Sequence, residues 1–501
     1  MEEQSCAPII QLKNFTFTYE ESSMPSLADI NLEIGAGEVV LLTGQSGCGK
    51  TTLTRCINGL IPDFYPGSFE GDCTVCGMKL GEHETSDYAA CVGSVFQDPR
   101  SQFFTLHVKT EIPFPGENLA APRGIVQKRS IDAVDSFQIK KLFDKSIFDL
   151  SSGEKQKVAI ASAYTAGVHI FVLDEPSANL DDVGTMQLLD VLKRLKAQGN
   201  TILISEHKIY YMQKLVDRVI FMENGRIADD MPGSSFVQMP VKWFTQHKMR
   251  QIELSSITPN CPHMEPHQND VNLEVQQLSF YYQRNKPLWE HANFSVSGGD
   301  IVGVIGKNGV GKSTLIRVLM GLEKPKSGKI LIHHTVTTKK RRRECSFYVM
   351  QDVDYQLFAP SLMEEMLLGT ENTPEDTKKA SELLAYFGLS DYQDCHPSQL
   401  SGGQKQRLSI AMAYMSTADF FFMDEPTSGL DGDNMHLVSS AICDLARRGH
   451  CVFVITHDYE FAAQTFRSLL LIKENGEIYR IEPTQYTPDT LYQNFQSNKG
   501  V

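Results

Sequence analysis

Four short motifs occur twice along this chain, in the same order. GQSGCGKT (Gly44 to Thr51) returns as GKNGVGKS (Gly306 to Ser313), and LSSGEKQ (Leu150 to Gln156) returns as LSGGQKQ (Leu400 to Gln406). FVLDEP (Phe171 to Pro176) returns as FFMDEP (Phe421 to Pro426), and Glu206-His207 returns as Thr456-His457. Lys50 and Lys312 lie 262 residues apart, and Gln97 and Gln351 lie 254 apart. Ser151 and Ser401, Glu175 and Glu425, and His207 and His457 are each separated by 250. The first half thus carries extra residues early and keeps register from the serine motif onward. Unrelated segments would not hold such a register; a duplicated fold would. The 501-residue length suits two domains. We place them at 1–250 and 271–501, joined by a linker at 251–270 that is rich in Ser, Pro, His and Asn.

Each half reads as α/β. The apolar runs Glu38 to Thr43 and Asp300 to Ile305 lead into Gly-rich loops. Helix-like segments follow, with Leu53 and Ile57 on one face of the first and Leu315 and Leu319 on one face of the second. The runs His169 to Leu173 and Phe420 to Met423 do not alternate, as suits a parallel strand buried on both faces. In the second half Thr373 is placed to cap a helix and Pro374 to begin it, with Leu383, Leu384 and Phe387 as its apolar stripe and an end near Gly388. Beyond about Tyr486 the chain is expected to be poorly ordered.

The Gly-rich loops hold the chemistry. Strand, GxxxxGK[ST], helix is the context of a phosphate-binding loop. Glycine lets backbone N–H groups turn toward phosphate oxygens, and the helix that follows points its positive end at the same anion. The candidate nucleotide-binding residues of the first loop are Gly44, Gln45, Ser46, Gly47, Cys48, Gly49, Lys50, Thr51 and Thr52. Those of the second are Gly306, Lys307, Asn308, Gly309, Val310, Gly311, Lys312, Ser313 and Thr314. Lys50 and Lys312 supply a cation for the β- and γ-phosphates, and the hydroxyls of Thr51 and Ser313 suit Mg²⁺. Asp174 and Asp424 end apolar strands, where an open α/β sheet places its ligand, and suit the metal's water shell. Glu175 and Glu425 follow, placed to polarise an attacking water.

Bulk composition narrows the partners. The net charge of −14 repels phosphate backbones, so nucleic-acid binding would need a local basic patch. The strongest candidate, Lys339 to Arg343, reads as a solvated loop. No apolar run approaches the roughly 18 to 20 residues that span a bilayer, and the first ten residues do not read as a secretory signal. Eleven scattered cysteines read as reduced thiols. Cys73-Thr-Val-Cys76 is a lone CxxC, and Cys261, His263 and His267 fall in the linker; neither group is expected to hold a metal.

With these motifs the chain resembles the ATP-binding cassette (ABC) family, nearly end to end and twice over. The most specific element is the signature, Ser151, Ser152, Gly153 and Glu154 in the first half and Ser401, Gly402, Gly403 and Gln404 in the second. The resemblance implies that each half is a parallel-sheet core with an antiparallel β subdomain and an α-helical signature subdomain. It implies that Tyr19 and Tyr282 stack on adenine, that Gln97 and Gln351 sense Mg²⁺ and the transport domain, and that His207 and His457 contact the γ-phosphate. Ser177 to Asp181 and Thr427 to Asp431 match the loop that couples the two sites. In the family, ATP lies between one cassette's phosphate loop and the other's signature, so the resemblance pairs Lys50 with Ser401, Gly402 and Gly403, and Lys312 with Ser151, Ser152 and Gly153, within one chain. Ser152 departs from the family's usual glycine and puts a side chain where backbone should approach phosphate. Both acids and both histidines remain, so two competent sites are expected.

The segments Gln97-Asp-Pro-Arg-Ser-Gln102-Phe-Phe104 and Gln351-Asp-Val-Asp-Tyr-Gln356-Leu-Phe358 are similar to those of energy-coupling factor (ECF) type importer ATPases. So are Asn58 to Pro62 with Phe64, and Glu111-Ile-x-Phe114 with Glu117-Asn118; Lys109 and Thr110 stand where that group often has acids. This resemblance implies an ATP-hydrolysing, Mg²⁺-dependent motor on the cytoplasmic face of the cell membrane. Its partners would be a transmembrane coupling subunit and a substrate-binding membrane subunit, with a vitamin or metal-like small solute as cargo. The alternatives are the fused ATPase of another ABC importer and, from another class, a soluble twin-cassette translation factor. The acidic chain and short, non-basic linker argue against the latter. A DNA-repair ATPase would need zinc cysteines and large insertions that the sequence lacks.

Overall fold

In a computed structural model the chain divides into two compact units, 1–252 and 253–501. The structure describes residues 7–20, 22–178, 180–254, 257, 271–283, 286–482, 485 and 488–497. Most of the expected linker, including Cys261, His263 and His267, lies outside the described residues, as does Asn179.

Both units contain the same two sheets. In the first, a six-stranded sheet runs in the order 226–232, 218–223, 39–44, 201–205, 170–174, 92–95. Its strands are parallel except for the edge strand Arg226–Pro232. In the second unit the matching sheet runs 346–349, 420–424, 451–455, 301–305, 468–472, 478–481, again with one antiparallel edge. The strand before each Gly-rich loop therefore sits inside its sheet, with neighbours on both sides. A four-stranded antiparallel sheet packs over each core, built from 27–34, 10–19, 67–75 and 78–79 in the first unit.

The non-alternating runs have a physical reason. Along Ile170–Asp174, Phe171 and Leu173 enter the core shared with the helices, while Ile170 and Val172 enter the core under the antiparallel sheet. Val39 and Leu41 divide from Val40 and Leu42 in the same way. Two apolar layers, one on each face, leave no position for a polar residue. Leu53, Ile57, Leu315 and Leu319 are all buried, as their spacing predicts. The helix Pro374–Tyr386 is capped by Thr373, which exchanges hydrogen bonds with Asp376, and buries Leu384 and Phe387.

Two expectations are corrected. Of the segment beyond Tyr486, the described residues form the helix Pro488–Ser497, whose Leu491 and Phe495 are buried and whose Tyr492 and Phe495 rings pack on Tyr459, while 487 and 498–501 lie outside the described residues. Its apolar positions are one helical turn apart, so a docked face offsets the ordering cost of a polar terminal segment. The basic run is not a loop but the short helix Lys339–Glu344, capped by Thr338, with Arg342 buried and donating to the Thr337 carbonyl. Cys73 is buried and Cys76 exposed on a turn, and no group of three or more metal-ligating side chains occurs among the described residues.

Candidate functional site

Each Gly-rich loop joins a buried strand to a helix, Lys50–Ile57 in the first unit and Lys312–Leu319 in the second. Gly49 and Gly311 open these helices with φ of 104° and 100°. An L side chain is strained in that region, so the turn that aims N–H groups inward needs glycine. The lysines fold back over their own loops. Lys50 Nζ donates to the carbonyls of Gly44 (2.9 Å) and Gln45 (2.8 Å), and Lys312 Nζ to those of Gly306 (2.7 Å) and Lys307 (3.2 Å). Both side chains are buried, so each ammonium is held against its own loop.

Beside each loop stands the strand-end aspartate. Ser313 Oγ donates to Asp424 Oδ2 at 2.8 Å, and in the first unit the Thr51 hydroxyl and the Lys50 ammonium each favour the charged form of Asp174. Burial pushes both carboxyls up, and the neighbouring glutamate adds to the effect; Asp424 reaches about 6. Asp174 Oδ1 is buried with no hydrogen-bond partner among the described residues. A buried, incompletely satisfied carboxylate beside a hydroxyl fits a Mg²⁺ ion, which takes one or two protein oxygens and completes its shell with water and phosphate. Tyr348 is particular to the second unit: its hydroxyl lies 3.4 Å from Asp424 Oδ2, where the matching residue of the first unit is Ser94.

The glutamates share an unusual backbone. Glu175 and Glu425 have φ of 43° and 52°, left-handed values that cost a residue with a Cβ. Each is locked by its own N–H, which donates to Ser205 O (2.8 Å) or Ile455 O (2.9 Å) on the next strand. The turn aims the carboxylates at the histidines: His207 Nε2 lies 3.3 Å from Glu175 Oε1, and His457 Nε2 lies 3.7 Å from Glu425 Oε1. Gln97 Nε2 also donates to Glu175 Oε2 at 2.7 Å. In the second unit the Glu425 Oε2 position takes the Thr456 hydroxyl at 3.1 Å, and Gln351 is exposed.

The tyrosines lie at the loop's rim. Tyr19 OH bonds Thr52 Oγ1 and Tyr282 OH bonds Thr314 Oγ1, both at 3.2 Å, and Arg55 and Arg317 donate to the two phenols. The core position of each strand belongs to Phe17 or Phe280, edge-on to the tyrosine, and Tyr282 is 58% exposed. An exposed ring face beside a phosphate loop can take a base.

The signature residues stand at the start of the helices Ser152–Thr165 and Gly402–Met415. Ser151 and Ser401 cap them, accepting from the N–H of Glu154 (3.3 Å) and Gln404 (3.4 Å), whose side chains accept the serine N–H in return. Glu154 and Gln404 thus serve the cap. A Cβ on Gly153 would lie 3.2 Å from Gly184 Cα, and one on Gly403 3.2 Å from Leu430 Cδ2, so these glycines seat the helix. A Cβ on Gly402 would meet nothing within 4 Å. The extra side chain of Ser152 is therefore exposed and unstrained within its own unit.

The glutamine-flanking segments split by residue. Phe103 and Leu357 pack against the helical cores, whereas Phe104 and Phe358 are each 76% exposed. Gln102 and Gln356 accept the N–H of Phe96 (3.0 Å) and Met350 (3.1 Å) and so brace the chain just before Gln97 and Gln351. Glu111 and Glu365 are buried and accept N–H groups from Phe104 and Thr105, and from Phe358 and Ala359. Sequence reading missed the bracing role of Glu111 and Glu365; matching positions across the two halves is the signal that could have found them.

The ABC transporter domain family matches residues 27–178 and 289–428. The chain is 41% identical over 478 residues to a Treponema denticola protein named "Putative ABC transporter ATP-binding protein", covering 94% of this chain and 96% of that one. It is 31% identical over 517 residues to a Bacillus subtilis protein named "Putative HMP/thiamine import ATP-binding protein", covering 96% and 93%. Among solved structures, an archaeal ribosome recycling factor aligns with a TM-score of 0.63 at 21% identity over 97% of this chain and 92% of that one, a likeness of fold. Two matched domains, each with a phosphate loop, a strand-end acid pair and a facing histidine, make this chain a member of the ABC transporter family and an ATPase with two cassettes.

Proposed function

We propose that the chain is the motor of an ABC importer of the ECF type, with cassettes at 1–250 and 271–501 and a linker at 251–270. Its place would be the cytoplasmic face of the cell membrane, against an integral coupling subunit that works with a substrate-binding membrane subunit. The observation that carries this reading is the pair of exposed aromatics Phe104 and Phe358, at matched places beside Gln97 and Gln351. Large apolar side chains held out by buried carboxylates suit the apolar face of a partner helix. The B. subtilis relative, named for HMP/thiamine import, supports a small-solute importer. No helix among the described residues is long and apolar enough to cross a membrane.

Within each cassette we assign roles to the chain's own groups. Lys50 and Lys312 would leave their loop carbonyls for the phosphates of ATP, and Tyr19 and Tyr282 would take the adenine. Thr51 with Asp174, and Ser313 with Asp424, would hold Mg²⁺, which neutralises charge on the transferring phosphoryl group. Glu175 and Glu425 would accept hydrogen bonds from the attacking water, oriented by His207 and His457. Gln97 bonded to Glu175 would report the state of that site to the docking segment. Affinity purification of the tagged full chain from detergent-solubilised membranes of its native cell tests the assignment. Recovery of an integral-membrane subunit, lost in the Phe104→Ala/Phe358→Ala variant, is expected; recovery of ribosomal proteins alone would overturn it and favour the translation-factor reading.

A further inference from the structure

The two histidines are framed differently, Ser205-Glu206-His207-Lys208 in the first cassette and Ile455-Thr456-His457-Asp458 in the second. A carboxylate precedes the histidine in one and follows it in the other, and both are buried. Glu206 Oε1 accepts the N–H of His207 (2.8 Å) and Lys208 (3.1 Å). Its Oε2 accepts the N–H of Ser177 (3.2 Å) and the hydroxyl of Tyr211 (3.1 Å). Asp458 Oδ1 accepts the N–H of Phe461 and its Oδ2 the hydroxyl of Thr427, both at 3.2 Å. Ser177 and Thr427 are matched residues, each two places after the glutamate that faces the histidine. Different atoms thus make the same tie, from the histidine segment to the start of the loop beyond the acid. In the first cassette Tyr210 OH adds a bond to Asp182 at 3.0 Å, on the far side of that loop.

We propose that Glu206 and Asp458 are matched positioning residues, each fixing the distance between histidine and catalytic glutamate by holding both of their segments on one carboxylate. The tie can sit on either side of the histidine because the strand end, the histidine and the loop start converge on one buried point. A buried acceptor serving several donors is stiff, since freeing any donor leaves it unsatisfied. His207 is accordingly more buried than His457 and closer to its glutamate. The proposal rests on the reading of Glu175 and His207 as a working pair.

The test uses the full-length chain in a Glu425→Gln background, so that turnover reports the site of Glu175. Glu206→Gln keeps the shape but replaces one acceptor oxygen with a donor. The expected result is a kcat lower by about tenfold with KM for ATP changed less than about twofold. Glu206→Thr should lose similarly, and adding Lys208→Asp, which transplants the second cassette's arrangement, should recover most of the rate. A merely structural role would move melting temperature and KM together and would gain nothing from the transplant. Should Glu206→Gln fold poorly, Tyr211→Phe removes one donor only and should lower kcat by about two- to threefold. Wild-type kcat in Glu206→Gln, or in Tyr211→Phe if only that variant folds, would overturn the proposal, as would a transplant no better than Glu206→Thr. Glu175→Gln and His207→Ala serve as controls: if these leave turnover intact, the underlying pair assignment fails instead.

Discussion

Asp424 is buried beside Glu425, and its carboxyl is pushed up to about 6, by burial first and by the neighbouring charge second. Its ordinary value is 3.8, so the metal-free fold carries no penalty below that pH and loses stability as pH rises through about 6. Asp424→Asn removes the charge and keeps an acceptor for Ser313 Oγ. In EDTA the variant should be more stable than the wild type by about 3 kcal/mol at pH 7.5, with the difference shrinking below pH 6 and gone by about pH 3, as read by urea denaturation. It should also lose ATP turnover. A gain at pH 4 equal to that at pH 7.5 would show that the carboxylate's charge is not its source. The candidate residues here could be named from sequence, because a Gly-rich loop and a strand-end acid pair keep a recognisable spacing. The left-handed turn at Glu175 and Glu425 was not, because it is set by hydrogen bonds to a strand about 30 residues further on. Nor was the Tyr348 contact, which needs the register of Ser346–Val349 against Phe420–Asp424.

Strands and helices around the site followed from pattern where one element decides its own fate, as with the capped helix Pro374–Tyr386. They did not where an element waits on a partner, as with Pro488–Ser497 docking on Tyr459. The docking segment lies between these cases. Its glutamine and aromatics are visible in sequence, yet only the structure separates Phe103, packed inward, from Phe104, exposed. Glu111 and Phe104 should therefore fail differently. Glu111→Ala strands two N–H groups and should cost about 2 to 3 kcal/mol in urea denaturation. Phe104→Ala removes an exposed ring, stacked on Phe114, and should cost under about 1 kcal/mol while weakening recovery of the membrane subunit. Similar stability losses in the two variants would show that Phe104 is a packing residue and not a docking one.

At the level of the whole chain, duplication made the fold class readable before any coordinate, since one strand-loop-helix solution had to serve twice. Function divides further than fold does: the likeness to an archaeal ribosome recycling factor reaches across almost the whole chain. A net charge of −14 and the matched exposed aromatics are what favour a protein partner over ribosomal RNA. The cargo is not legible, because no side chain singled out in either cassette is built to recognise it. Equality of the two sites can be decided by turnover. Both cassettes keep lysine, acid pair and histidine in matched geometry, so Glu175→Gln and Glu425→Gln should each remove at least half of the ATPase rate, with about a hundredfold loss at the altered site. An intact rate in Glu425→Gln beside a dead Glu175→Gln would show a single working site. Ser152→Gly then asks whether the one signature departure matters. Ser152 is exposed and strain-free in its own cassette, so its removal should leave stability within about 0.5 kcal/mol. A change in turnover without a change in stability would support contact of Ser152 with nucleotide. The expected change is a faster rate in one of the two Glu→Gln backgrounds and none in the other, and the background that responds identifies the acid that shares a site with Ser152.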